Sequence, residues 1–198
     1  MPGARVTDSE RITLRTVEQE DIQFIQRSLA NPEIRYPMGN PVMNQAQVAD
    51  HHEDNDSDRF LVCLENDAGP SQPDADSMTS IACREDDNAV DSVTRIGLIS
   101  VSDADWKRPE LAYWLIPEVH GHGYGKEAVS SVIEYVFRTY DTPAVGAEAY
   151  DYNDASRGLL KSLGFTKEGC RRMFMFIEGE YRDMIQYGLL RREWYNQK

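Results

Sequence analysis

The segment His120-Gly121-His122-Gly123-Tyr124-Gly125 sets three glycines at alternate positions just before a helical pattern. Glycine tolerates backbone angles closed to other residues and lets a ligand approach the chain closely. Successive N–H groups ahead of a helix suit phosphate, because unpaired amides and the helix dipole act on the same anion. A strand-to-helix turn without a ligand would use the same residues. Context excludes two other phosphate motifs. Gly125-Lys126 is followed by Glu127 rather than Ser or Thr, which rules out a Walker A loop. The loop also lies beyond several strands rather than at the first turn of a βαβ unit, so a dinucleotide fingerprint does not fit. His120 and His122 could begin a metal site, but no third ligand lies near them in sequence, and no metal is expected.

A second constellation follows. Asn153-Asp154-Ala155-Ser156 opens a helix with Leu159, Leu160 and Leu163 on one side, Asn153 as its N-cap and Gly164 as its C-cap. The elements that must position both segments can be read from periodicity. A strand over 109–116 feeds the glycine segment, and the next helix carries Ala128, Val129, Val132, Ile133, Val136 and Phe137 as one apolar stripe. Upstream, 11–17 alternates as a first strand, and Ile22, Ile25 and Leu29 mark a helix from Glu18. Pro32, Pro37, Gly39 and Pro41 read as turns, and 45–52 as a short helix. Strands are expected at 59–65, 94–101 and 144–150, and a hairpin of 172–177 with 181–190 turns at 178–180. The order β-α-α-β-β-β-α-β-α-β-β predicts an α/β (α+β) fold, a mixed seven-stranded sheet flanked by helices.

Between 59–65 and 94–101 lies an acidic stretch, about 66–93, rich in turn residues and longer than a hairpin connection needs. It reads as an insertion or mobile loop, with only Met78–Cys83 capable of strand structure. A chain of 198 residues suits a single domain over 1–198. No run of apolar residues is long enough for a membrane span, and the first residues lack the apolar core of a secretory signal. Cys63, Cys83 and Cys170 form no CxxC pair, so a reducing, cytoplasmic setting is expected. The net charge of −13 disfavours nucleic acid. Residues 50–91 hold 13 of the acids against only Arg59 and Arg84, and the chain has 16 Arg but 5 Lys. Such a surface suits salt adaptation, or an acidic rim that steers a cationic substrate.

With the glycine loop, the Asn153-x-x-Ser156 helix, its end Leu163-Gly164-Phe165, and a C-terminal arm from Gly179-Glu180-Tyr181-Arg182-Asp183 to Glu193-Trp194, the sequence resembles the GNAT N-acetyltransferases, in the RimJ/RimL-like branch that modifies ribosomal-protein N-termini. The resemblance covers roughly 10–195 and implies a GNAT fold: a mostly antiparallel sheet whose fourth and fifth strands splay apart to admit acetyl-CoA. It implies that the backbone of Trp114, Leu115 and Ile116 pairs with the pantetheine arm. Gly121, Gly123 and Gly125, with the amides of His122, Tyr124 and Lys126, would hold the pyrophosphate, and Asn153 would touch the pantetheine. His120 departs from the family, which carries Arg or Gln there.

The implied chemistry is direct attack of a primary amine on the thioester in a ternary complex, with a protein N-terminal α-amine as the expected acceptor. The alternatives are a small amine, polyamine or aminoglycoside, or a CoA-binding module without catalysis. The resemblance points to Glu110, then Glu148, as general base. Many relatives use a tyrosine to protonate the thiolate where this chain has Leu160, which leaves Ser156, with Tyr150 and Tyr152 as substitutes. A homodimer is expected by analogy, with neither nucleic acid nor membrane as partner.

Overall fold

Alternation in the N-terminal half produces sheet, and the 3.6-residue stripes lay helices on it. The computed structural model describes residues 3–53, 57–65, 93–104 and 107–197. Most of the acidic stretch, including Cys83 and the strand expected at 78–83, lies outside the described residues. The elements are β1 (Arg5–Asp8), β2 (Ile12–Thr16), α1 (Ile22–Ala30), α2 (Pro32–Met38), α3 (Gln45–Glu53), β3 (Ser57–Glu65), β4 (Val93–Ser102) and β5 (Glu110–Leu115). They continue as α4 (Tyr124–Thr139), β6 (Ala144–Tyr150), α5 (Asp154–Ser162), β7 (Thr166–Ile177), β8 (Glu180–Leu190) and α6 (Arg191–Asn196). The strands form one sheet in the order β1-β2-β3-β4-β5-β6-β8-β7. All neighbours pair antiparallel except β5 and β6, which run parallel. No described helix is long and apolar enough to cross a membrane.

The core follows the pattern of the sequence. The α4 stripe from Ala128 to Phe137 is buried, as are Ile22, Phe24, Ile25 and Leu29 of α1. In β3, Phe60 to Leu64 are buried on both faces, as a central strand requires. The caps expected on α5 are present: Asn153 Oδ1 accepts from the Ser156 amide at 3.1 Å, and Gly164 takes φ +88° beyond the helix.

Three features differ from the expected elements. The sheet has eight strands rather than seven, because Arg5–Asp8 adds an edge strand on β2. Its residues are mostly exposed, so no apolar alternation announced it. The turns read from Pro32, Pro37 and Gly39 are instead α2. Asn31 Oδ1 caps the Glu33 amide at 3.0 Å, Pro32 sits in the first turn where a missing N–H costs nothing, and Gly39 closes the helix at φ +68°. Finally, β7 begins at Thr166 rather than near Arg172. Register shifts between Lys167 and Gly169 and between Arg171 and Met175 interrupt its alternation and hid its first half.

One buried ion pair fastens α1 to the sheet. Asp21, completely buried, accepts from Arg95 Nε of β4 at 2.6 Å, and its second oxygen caps the Glu18 amide at 2.8 Å. Removing one partner strands the other charge in a dry interior, which typically costs about 3–5 kcal/mol. Asp21→Ala is therefore expected to lower the unfolding free energy by that amount, read as a lower denaturant midpoint at unchanged slope, whereas a loss below about 1 kcal/mol would show that the pair is not a fastening.

Candidate active site

The site begins where two strands part. β5 and β6 pair only at Glu110↔Gly146 and Leu111↔Ala147, a ladder opened by the Gly146 amide donating to Pro109 O at 2.8 Å. On its other side β5 stays with β4 as far as Gly97↔Leu115, and Ile116 N donates to Ile96 O at 2.9 Å. Strand residues alternate in the side to which they turn their backbone groups. Trp114 and Ile116 therefore direct theirs at β4, while Tyr113 and Leu115 direct theirs into the gap. Of the three residues expected along the pantetheine, Leu115 is the one whose backbone faces the opening. The Trp114 and Ile116 side chains are buried, the Trp114 ring 5.8 Å from Phe24.

The chain then turns through Pro117–Val119 into the glycine segment. Gly121 and Gly123 adopt φ +80° and +85°, left-handed values that strain any other residue. Gly125 serves differently: it lies in α4, and a Cβ there would press on Leu159 Cδ1 of α5 at 3.0 Å. The helical ladder starts with Glu127 N donating to Gly123 O at 3.2 Å, so the amides of Tyr124, Gly125 and Lys126 precede it. His120 donates from Nε2 to Leu115 O at 3.0 Å, and His122 from Nδ1 to His120 O at 2.9 Å. Both rings thus order the loop's own backbone. Among the described residues, no three His, Cys, Asp or Glu come together as metal ligands.

A clamp that sequence reasoning missed holds this loop. Arg11, just ahead of β2, donates its backbone N–H to Glu127 Oε1 at 2.7 Å and its Nε to Oε2 at 2.9 Å. Its Nη1 reaches His122 O at 2.9 Å, and the guanidinium lies 4.8 Å over the Tyr124 ring. Burial alone would raise the proton affinity of Glu127, but the Arg11 amide, the Ser9 hydroxyl and the Arg11 guanidinium together hold it below the usual carboxylate range.

Within the splay is a cleft of about 390 Å³. It brings together Glu110, Glu148, Asn153 and Ser156 of the expected residues. Tyr113, not foreseen, hydrogen-bonds Ser156 Oγ at 2.8 Å. Burial pushes the Tyr113 phenol up to about 12, against the pull of that hydrogen bond. Glu110 is raised by burial, is pulled down by Arg108 at 3.1 Å, and is raised again by the charge of Glu148. Glu148 accepts from Arg171 and from Gln186, each at 3.1 Å. Leu160 is fully buried. Tyr150 lines the cleft, stacks on Tyr152 at 5.7 Å and lies against Gly39, while Tyr152 donates to Tyr36 O at 2.8 Å. Those two rings support the end of α2 over the cleft. Only local alternation along 109–116 hinted at Tyr113, since its partner lies on another element.

Residues 11–166 match the family model described as an acetyltransferase (GNAT) domain. YdaF of Bacillus subtilis (strain 168), whose name assigns it provisionally to ribosomal N-acetylation, is 32% identical over 104 residues, 52% of this chain. That match spans little more than half of YdaF, 57% of its length. A spermidine N-acetyltransferase from Vibrio cholerae, solved with CoA and spermine, superposes with a TM-score of 0.74 at 21% identity, covering 95% of this chain and all of that one. RimL, a ribosomal L7/L12 α-N-protein acetyltransferase solved with coenzyme A, gives 0.72 at 15% identity over 96% and 99% of the two chains.

The Arg11 clamp predicts a pH-dependent loss. Arg11→Ala should cost about 1–2 kcal/mol at neutral pH, since Arg11 is a third exposed and its bonds are partly screened. Because Glu127 is held below its unfolded value, its contribution is present above the ordinary carboxylate range and lost as pH falls through the folded value. Melting curves of the two proteins should therefore converge in acid, and a gap independent of pH would overturn this account.

Proposed function

The chain belongs to the GNAT acetyltransferase family, and from that premise we propose that it transfers the acetyl group of acetyl-CoA to a primary amine, specifically a protein N-terminal α-amine. The observation that carries the reading is one continuous path. It runs from the glycine loop at α4, along the unpaired edge of β5, to a cleft that joins two carboxylates with a hydroxyl pair. Acetyl-CoA supplies a thioester carbonyl to that cleft. The amides of His122 to Lys126 suit its pyrophosphate, and the Tyr113 and Leu115 backbone suits its amide-bearing arm.

The amine must attack as a free base. An α-amine near pKa 8 gives up about 1 kcal/mol to deprotonation at pH 7, and an amine near 10.4 about 4–5. A carboxylate raised by burial, such as Glu110, is a sufficient base for the first and a poor one for the second. As the C–N bond forms and the C–S bond breaks, negative charge collects on sulfur. A thiol near 8.5 holds its proton more loosely than a phenol near 12 or an alcohol. Ser156 and Tyr113 therefore act best as hydrogen-bond donors to the departing thiolate rather than by giving up a proton outright.

A polyamine acceptor is the second reading. Asp103, Glu110 and Glu148 share the cleft, which suits a molecule with several positive charges, and a spermidine acetyltransferase has the same fold.

Thiol release from acetyl-CoA should be followed with free Ser- and Ala-terminal peptides, a blocked lysine peptide, spermidine and an aminoglycoside. Turnover confined to free N-termini is expected. Turnover on spermidine or the aminoglycoside alone would move the function to small amines, and acetyl-CoA binding without any turnover would leave a CoA-binding module. On the productive acceptor, Ser156→Ala and Tyr113→Phe should lower kcat roughly 10- to 100-fold with acetyl-CoA affinity retained. Gly123→Glu should lose acetyl-CoA binding while still folded, because its carboxylate would face the pyrophosphate.

A further inference from the structure

Arg108 and Glu110 flank Pro109. A residue before proline is driven to extended backbone, so side chains two apart project to the same side. Arg108 Nη2 meets Glu110 Oε1 at 3.1 Å and Nε meets the same oxygen at 3.3 Å. Its Nη1 meets Glu168 Oε2 on β7 at 2.5 Å. One guanidinium is thus divided between a cleft carboxylate and an exposed one.

The sheet beneath this chain of charges is bare. A Cβ on Gly146 would collide with the Glu110 carboxylate, and one on Gly188 with that of Glu168. Gly146 and Gly188 are cross-strand partners on β6 and β8. Glu168 reaches this position because it occupies the bulge between Lys167 and Gly169. Two paired glycines therefore make a floor on which the carboxylate–guanidinium–carboxylate chain lies flat.

We propose that Arg108 is the positioning residue of Glu110, and that Glu168, by competing for the same guanidinium across the Gly146–Gly188 floor, sets how strongly Glu110 is held as a carboxylate. The proposal rests on the reading of Glu110 as the base. Among the described residues, the other charged groups facing Glu110 are Lys107 before β5, Asp103 after β4, and Glu148 of β6, itself paired with Arg171 of β7. The Tyr113 and Tyr150 phenols also border it. None of these is altered in the test.

The sign differs for the two partners. Without Arg108, Glu110 loses its nearest cation and holds its proton to higher pH. Without the Glu168 charge, Arg108 serves Glu110 alone, and Glu110 loses its proton at lower pH. A merely structural pair would move both variants the same way or not at all.

The Glu110 carboxyl carbon should be titrated by NMR in Glu-labelled protein, assigned through Glu110→Gln, in the wild type, Arg108→Gln and Glu168→Gln. The midpoint is expected to rise in Arg108→Gln and to fall in Glu168→Gln, with acetyl-CoA affinity unchanged in both. Glu168 is exposed, so its variant keeps the test intact if Arg108→Gln folds poorly. Midpoints that stay put, or move together, overturn the proposal. Failure of the underlying reading looks different: opposed midpoints with an acidic limb of kcat/KM that does not follow them would leave Arg108 as the positioning residue and remove Glu110 as the base.

Discussion

Everything at this site depends on a ladder that ends after two residues. Buried backbone groups must find partners, and a strand that loses its neighbour leaves N–H and C=O groups that a core cannot hide. β5 loses β6 beyond Leu111↔Ala147. The cost is met locally at one point, where the His120 ring donates to Leu115 O, and the rest of the edge opens on the cleft. A ligand with amide groups is the natural complement of such an edge, as an added strand would be. The glycine loop lies just beyond the end of the same strand, so its backbone and the open edge form one continuous surface.

The charges of the cleft are held rather than free. Glu110 rests on Arg108, Glu148 on Arg171 and Gln186, and Ser156 on Tyr113 and the Asn153 cap. Each group is fixed by a neighbour before any substrate arrives, which lowers the reorganisation needed when charge develops. The loop is treated likewise: Arg11 joins β2 to the first turn of α4 and lies over Tyr124. Asn153 shows how one residue serves two ends, since its side-chain oxygen is spent on the helix cap while the residue lines the cleft.

Much of the architecture was legible because it is written at short range. The α4 stripe, the caps at Asn153 and Gly164, and the left-handed Gly121 and Gly123 follow from demands within a few residues. Elements escaped where local signals conflict. Pro32 and Pro37 suggested a break that the Asn31 cap and Gly39 turn into a helix, the bulges of β7 shifted its faces, and β1 has no buried face to betray it.

The sequence by itself determined most of the helices and strands, though not α2, β1 or the start of β7, and it determined that a glycine loop precedes a helix and that carboxylates and hydroxyls lie on the strand and helix beside it. Only the tertiary structure decided which of them meet. Tyr113 and Ser156 are 43 residues apart, Arg108 and Glu168 are 60, and Arg11 and Glu127 are 116. Those distances close only once strand register is fixed across the whole sheet, and register is a property of all its pairs together rather than of any one segment. The splay is of the same kind: β5 stays paired with β4 as far as Leu115 and β6 with β8 along its whole length, while the two pair with each other at only two positions.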